Sequence, residues 1–384
     1  MGKTILILGG GTGGVVAANV LRKTLPMEHR VIVVDRNRNH YFQASYPLVL
    51  VNLRRPAQIV QRLERLEKKG IEFVQAEVQR VDFARRYVKT NQGRINYDYL
   101  IIALGAEQHL ETVPGQAHRA YNPFDFYDVC RLRFLLSRLT RGHIVLYIAN
   151  LPYTGVIAPF EIMFLLDAYL RQRGCRPNVR LSFVTPEPLP LSLAPPKVGQ
   201  SVLRMMERRG IEVISQAKVL ALDPRKKHLL LDGGLKIPGN LFLGIPSHWG
   251  PGLLRDTSLA PTGWIETDPH TLTTQVEGVY AVGDGVATRV PVNGAWAPKA
   301  GSFAHYQAEV VARNIASMIL GGSPRWRYTG KAAGAVMLTG LGRGRLVSVN
   351  YYDPRGVKLS LLRPTRTAYW VKVAFEKYWL TRWF

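Results

Sequence analysis

Within its first thirty-five residues the chain spells a complete nucleotide-binding unit. Thr4 to Leu8 is an apolar strand, Gly9, Gly11 and Gly14 follow as G-x-G-x-x-G, a helix begins, and a second strand, Val31 to Val34, ends in Asp35. A parallel strand feeding a helix brings backbone N–H groups onto a pyrophosphate only if the turn is tight and nothing projects from it, which is why glycine is needed there. The helix N-terminus adds partial positive charge. An acid 21 positions beyond the third glycine stands where a ribose 2′-hydroxyl would be held.

The rest of the composition suits an α/β enzyme: 47% of the 384 residues are hydrophobic, 20% are charged, and glycine is plentiful without a repeat. That length predicts two domains. No run of about 18 apolar residues exists to span a bilayer. The first strand begins at Thr4, which leaves no room for a signal peptide and makes a cytoplasmic location the expectation. Cys130 and Cys175 are the only cysteines and stand in no metal-ligand or C-x-x-C spacing, so neither a disulfide framework nor a metal site is expected. The formal charge of +24 favours a polyanion, either nucleic acid or an anionic membrane face. No nucleic-acid module accompanies it, because the aromatics form no stacking platform and the basic residues are scattered.

Patterning predicts a helix over 57–69 closed by Gly70, a strand over 71–76 leading to Val78, hairpin strands near 81–83 and 87–90, and a buried parallel strand in 97–106. A linker with Pro114, Gly115 and Pro123 opens a second unit. It reads as helix 125–139, strand 143–148, helix 159–173, strand 179–184, helix 197–209 and strand 240–245. GVYAVGD, 278–284, is a further buried strand ending at an acid, and 300–320 is one long helix. The expected fold is α/β with two Rossmann-like dinucleotide-binding domains, the second inserted in the first. The first takes 1–110 and 247–330, the second 111–246, and 331–384 forms a C-terminal membrane-associating region of short strands and a helical tail.

Gly9 to Gly14 with Asp35, the LIIALGA strand at 100–106, and GVYAVGD with Asp284 resemble, in order and spacing, the three FAD-contacting segments of the two-dinucleotide-domain flavoproteins. The resemblance implies FAD held by Gly9, Gly11, Thr12, Gly13, Gly14, Asp35, Arg36, Val78, Ala103, Gly105, Gly283, Asp284, Lys299 and Gly301. Asp284 would hold the ribityl chain, and the helix starting near Gly301 would aim its N-terminus at the pyrimidine edge of the flavin. Two-electron reduction puts negative charge at that edge, where a helix dipole and the charge of Lys299 stabilise it.

Further segments narrow the resemblance. PYTGVIAPFE (152–161), TPEPLPL (185–191), PKAGSFAHYQAEVVARNI (298–315) and FEKYWL (375–380) are similar to landmarks of sulfide:quinone oxidoreductases and flavocytochrome c sulfide dehydrogenase flavoprotein subunits. That family implies electron flow through FAD to a quinone. It works through two redox-active cysteines beside the flavin, which would fall at Gly155 and, within 334–337, at Val336. Without a thiolate at either place a persulfide intermediate cannot form, so a different donor is expected to meet the flavin directly. Cys130 and Cys175 read as bystander thiols. Glu161 matches the family's acid near the flavin and is a candidate proton carrier, or else a first-turn glutamate complementing its helix dipole. Glu161 and Lys299 are therefore the candidate catalytic residues.

Two absences bear on the alternatives. No cysteine precedes position 130, so disulfide-reductase chemistry is excluded. The second-domain strand runs into Ala149-Asn150-Leu151-Pro152-Tyr153-Thr154-Gly155, with one glycine, where a nicotinamide nucleotide would need a second bare turn. A type II NADH:quinone oxidoreductase binding its nucleotide without those glycines remains the alternative enzyme. A non-catalytic or electron-transfer flavoprotein subunit docking a cytochrome is the alternative from another class.

The last sixteen residues hold seven aromatics, Tyr369, Trp370, Phe375, Tyr378, Trp379, Trp383 and Phe384, interleaved with Lys372, Lys377 and Arg382. Such rings beside basic groups suit a bilayer interface, and packing on the protein's own body or on a second subunit is the competing reading. The expected partners are a quinone and an anionic membrane surface on the cytoplasmic side of the cell membrane, with a homo-oligomer left open.

Overall fold

The computed structural model describes residues 2–223 and 225–384, the side chains of residues 333 and 334 excepted. Five parallel strands form the first sheet in the order Val279–Ala281, Tyr99–Ile102, Thr4–Leu8, Arg30–Asp35, Glu72–Gln75. Strands covered on both faces must be apolar throughout, and Ile5, Leu6, Ile7 and Leu8 are each fully buried. Alternation then assigns the faces: Ile5 and Ile7 meet the helices Thr12–Thr24 and Gly301–Ile319, while Leu6 and Leu8 face the cluster containing Val88 of a three-stranded antiparallel sheet.

The plan repeats in a second parallel sheet, ordered Ala120–Tyr121, Leu241–Ile245, Gly142–Ile148, Val179–Val184, Ile211–Ile214. Helices Phe126–Arg138, Ala158–Gln172 and Pro196–Glu207 contribute to the core on one side of it, and the antiparallel strands Val219–Asp223, His228–Leu231 and Lys236–Pro238 cover the other. The chain leaves the first sheet and returns to it through a pair of antiparallel strands, Glu107–His109 and Ser247–Trp249.

Two local expectations fail. Residues 57–69 are not one helix but the 3₁₀ turns Pro56–Ile59 and Leu63–Lys69 around a short strand, Val60–Arg62, that pairs with Asn39–Tyr41. Buried Ile59, Leu63 and Leu66 mimic a helical period, and the strand pairing overrides it. The hairpin near 81–90 gains a third strand, Gly93–Asn96, whose polar residues conceal it in the sequence.

Residues 331–384 form a three-stranded antiparallel sheet, Lys331–Gly340, Arg343–Asn350 and Lys358–Leu361, followed by the helix Arg366–Arg382. Thr365 caps that helix by accepting from the Ala368 amide at 3.0 Å. Among the described residues no helix is long and apolar enough to cross a membrane.

The tail corrects the sequence reading in part. Trp379, Trp383 and Phe384 turn inward, where Trp379 stacks on His40 at 4.9 Å between ring centroids. Glu376 accepts from Arg54 at 2.7 Å and from Ser45, which clamps the helix to the first domain. Lys372 is buried rather than free to reach lipid phosphate. Trp370, Phe375 and Tyr378 do remain exposed, so only one face of the helix is available to a membrane. Rings on both faces concealed this split in the sequence.

Candidate functional site

The glycine turn is built as a cradle. Gly9 holds φ +103°, and a Cβ there would lie 2.4 Å from the Ala103 carbonyl; at Gly14 it would lie 1.8 Å from the Gly9 carbonyl, and at Gly13 3.0 Å from Val282. Gly9 and Gly14 exclude side chains because backbone packs against them, whereas at Gly13 the Val282 side chain would have to give way. Gly11 differs: nothing lies within 4 Å of its notional Cβ, so no contact inside the protein requires glycine there. Gly10 donates to Asp35 Oδ2 at 2.7 Å and its carbonyl stands 2.9 Å from His40 Nδ1, which fixes its peptide from both sides. Asn37 donates to the other Asp35 oxygen at 2.7 Å. Arg36 is exposed, and Val78 is half-buried at the start of its strand.

Beyond the cradle opens a cleft lined among others by Thr12, Gly155, Glu161, Asp284, Gly301, Val336 and Lys372. Asp284 follows Gly283, which holds φ +83° and donates to Gln307 Oε1 at 2.8 Å; Gly105, across from it, holds φ +72°. Burial raises the Asp284 carboxyl to about 6, opposed by the charge of Lys299. A buried carboxylate opposed by the charge of Lys299 suits an acceptor for ribityl hydroxyls, and the free space at Gly11 suits a pyrophosphate. The residues therefore fit FAD. If Asp284 holds FAD, the ionised carboxylate is the better acceptor, and affinity for FAD is expected to fall as pH drops through about 6. A fluorescence titration of the apoprotein from pH 8 to 5 checks this; an affinity flat across that range contradicts it.

Lys299 is buried, but it does not line the main cleft. Its ammonium donates to the carbonyls of Asp284 and Val286, each at 2.8 Å, and sits 3.8 Å over the Trp264 ring. Burial lowers its pKa to about 8 against the opposing charge of Asp284. It thus acts as a strut that shapes the Asp284 segment. Replacing it with Met orphans two buried carbonyls and is expected to lower stability by about 1–3 kcal/mol, read as a lower unfolding midpoint.

Glu161 lies in the first turn of its helix and is buried at the cleft wall, hydrogen-bonded to Lys372 from 211 residues away. Burial raises its pKa, while Lys372 and a backbone hydrogen bond from Leu338 oppose the shift. A first-turn glutamate serving only its helix dipole would be solvated. The pairing was invisible in the sequence, where Lys372 belonged to a tail of rings and basic residues.

Gly155 and Val336 both line the cleft, so it presents no thiol at either place. Gly155 holds φ +67° and donates to the Lys299 carbonyl at 2.7 Å; a Cβ there would meet Ala158 and Phe124 only at 3.7 Å, so it is the left-handed backbone rather than crowding that disfavours a side chain. Cys130 and Cys175 are absent from the lining, and Cys175 is buried against the Leu139 and Leu170 carbonyls. In the second domain, Glu187 follows the second strand, where a Rossmann unit places its ribose-binding acid. Here it is buried and already engaged: Tyr153 donates to one oxygen at 3.1 Å and Ser192 to the other at 2.6 Å.

Two parallel sheets, a glycine cradle at the first and a cleft ending at Asp284 define a two-dinucleotide-binding-domain flavoprotein with FAD as its cofactor. A sequence model described as "Pyridine nucleotide-disulphide oxidoreductase" matches residues 3–146. That match stops before the turn at 149–155. The chain is homologous to sulfide:quinone oxidoreductases: it is 24% identical over 361 residues to the mitochondrial enzyme of Mus musculus, covering 90% of this chain and 78% of the relative. It is 25% identical over 402 residues to the sulfide-quinone reductase of Aquifex aeolicus, covering 99% and 91%. The crystal structure of the Aquifex aeolicus sulfide:quinone oxidoreductase superposes with a TM-score of 0.86 at 22% identity, covering 99% of this chain and 91% of that one. A type II NADH:quinone oxidoreductase of Staphylococcus aureus is 23% identical over 348 residues, covering 84% of each chain.

Proposed function

We propose that the protein is an FAD-dependent oxidoreductase that passes electron pairs from a reduced donor to a membrane quinone without using cysteine. The observation that carries this reading is the buried Glu161–Lys372 pair on the wall of a cleft that also reaches Asp284 and the Gly301 helix. Quinone reduction consumes two electrons and two protons in an apolar place where water supplies protons poorly. FAD, when bound, supplies the two-electron carrier. The chain supplies the rest. Glu161, held toward its protonated form by burial, stands ready to give a proton to a quinone oxygen, and the Lys372 ammonium donates a hydrogen bond and stabilises the carboxylate left behind. The Gly301 helix directs its positive end into the same cleft. The exposed rings of Trp370, Phe375 and Tyr378 seat the C-terminal helix at the surface of the bilayer, peripherally and on its cytoplasmic side.

The test is single-turnover reoxidation: anaerobically reduced protein mixed with a soluble ubiquinone analogue regains its flavin band near 450 nm within seconds. No reoxidation by quinone contradicts the proposal. The similarity to type II NADH:quinone oxidoreductases supports a second reading with NADH as donor. Against it stand Glu187, committed to Tyr153 and Ser192, and a turn with one glycine. Stopped-flow mixing with NADH is therefore expected to leave the flavin oxidised over minutes, and prompt bleaching supports the second reading instead.

A further inference from the structure

Helix Phe126–Arg138 carries a stripe of residues that neither the core nor the cleft uses. Its buried face is complete in Val129, Leu132 and Leu136. On the opposite side, Tyr127, Arg131, Phe134 and Arg138 follow one another at spacings of four, three and four. At 3.6 residues per turn this confines them to an arc of about 60°. Tyr127 is 64% and Phe134 53% exposed, large values for two rings on one helix of a folded domain. The Arg138 guanidinium covers the Phe134 ring at 3.9 Å, and Arg131 pairs with Asp128 of its own helix at 3.3 Å.

The stripe has a defined relation to the cleft. The Tyr127 hydroxyl is hydrogen-bonded to Tyr41, whose ring packs on Phe126 at 4.6 Å. Phe126 in turn lies 6.2 Å from Tyr46, a cleft-lining residue. On the far side of this segment Phe42 meets Phe375 of the C-terminal helix at 6.3 Å. The two helices with exposed rings thus flank one mouth.

We infer that helix Phe126–Arg138 is a second membrane-contact element, seating Tyr127 and Phe134 in the headgroup region of an anionic bilayer while Arg131 and Arg138 reach lipid phosphates. The inference rests on the quinone reading, since the bilayer is what the cleft mouth must meet. It goes beyond that reading by assigning contact to a part of the chain well over two hundred residues from the tail. Rings with a flat apolar body beside snorkelling arginines suit an interface. A second copy of the chain suits it less, because self-association through this face brings arginines onto arginines in a molecule already at +24. Two separate contact elements also set the orientation of the mouth, because a body held at one helix alone can still tilt about it.

Co-sedimentation of the full-length FAD-loaded protein with vesicles, phosphatidylcholine alone or mixed with phosphatidylglycerol, tests this. The double variant Tyr127→Ser/Phe134→Ser is expected to bind mixed vesicles at least about tenfold more weakly than wild type. Arg131→Gln/Arg138→Gln is expected to lose most of the preference for the anionic mixture. Turnover with a water-soluble quinone analogue stays unchanged in both, which shows that the fold and site are intact. Vesicle binding equal to wild type in both variants overturns the inference and leaves the quinone reading standing, as does a wild-type dimer that the ring variant dissolves without loss of vesicle binding. A wild-type protein that binds neither vesicle overturns the membrane contact of both helices, while reoxidation by quinone in solution still judges the electron transfer separately.

Discussion

Gly11→Val is expected to yield a folded protein that purifies with less than about a tenth of the wild-type FAD, because a side chain there blocks close approach of a pyrophosphate to the turn. The glycines of the turn differ in what surrounds them. At Gly14 an added Cβ would collide with the Gly9 carbonyl at 1.8 Å, so loss of FAD in a Gly14 variant could follow from a broken turn. Gly11 has φ −73° and no neighbour within 4 Å of its notional Cβ, and it precedes the helix as an N-cap with no side-chain bond to lose. The cost to the fold is therefore about 1 kcal/mol or less. Absorbance at 450 relative to 280 nm and the unfolding midpoint of the apoprotein separate the two effects. Wild-type FAD content in Gly11→Val contradicts the placement of the pyrophosphate.

Glu161→Gln is expected to slow quinone reduction by roughly 10²–10³-fold while leaving FAD content intact, the range lost when a positioned proton donor is removed. Glutamine keeps the shape of the side chain and removes the transferable proton. Lys372→Met acts differently, because it removes the partner of a buried acid and forces Glu161 to its neutral form. The double variant should regain stability over Lys372→Met alone and stay slow. The pH dependence has a definite sign. Burial raises the Glu161 pKa, so its protonated form persists to higher pH than in an exposed glutamate, and quinone reduction falls as pH climbs above that raised value. The same shift stabilises the fold at low pH and is lost as pH rises through it. A rate profile in Glu161→Gln that keeps the wild-type fall with pH contradicts the assignment.

What the sequence could disclose was local or periodic. The strand, glycines and acid of residues 4–35 sit in one stretch, and each residue type there has a single steric or electrostatic reason, so cradle and cofactor were readable together. Buried runs such as 179–184 gave their strands without shift because both faces are covered. Beyond the cofactor, Glu161 could be named as a candidate but its partner could not, since the site depends on pairs far apart in the chain. Glu161 meets Lys372 across 211 positions, and Glu187 meets Tyr153 across 34. The tail misled for a related reason: its rings look alike in sequence, yet Trp379 finds His40 and Phe42 while Trp370 meets its neighbour Tyr369 and stays mostly exposed. In sequence Lys299 reads as a charge beside the flavin because nothing local announces the two carbonyls that hold it.

The central claim is that electrons reach a quinone through this flavin with no thiol in the path, and the variant Cys130→Ser/Cys175→Ser tests it most directly. Loaded with FAD, reduced anaerobically and mixed with a soluble ubiquinone analogue, it contains no sulfhydryl at all. The predicted result is reoxidation at the wild-type rate, with full return of the 450 nm band. Reoxidation that fails in this variant while proceeding in the wild-type protein contradicts the claim.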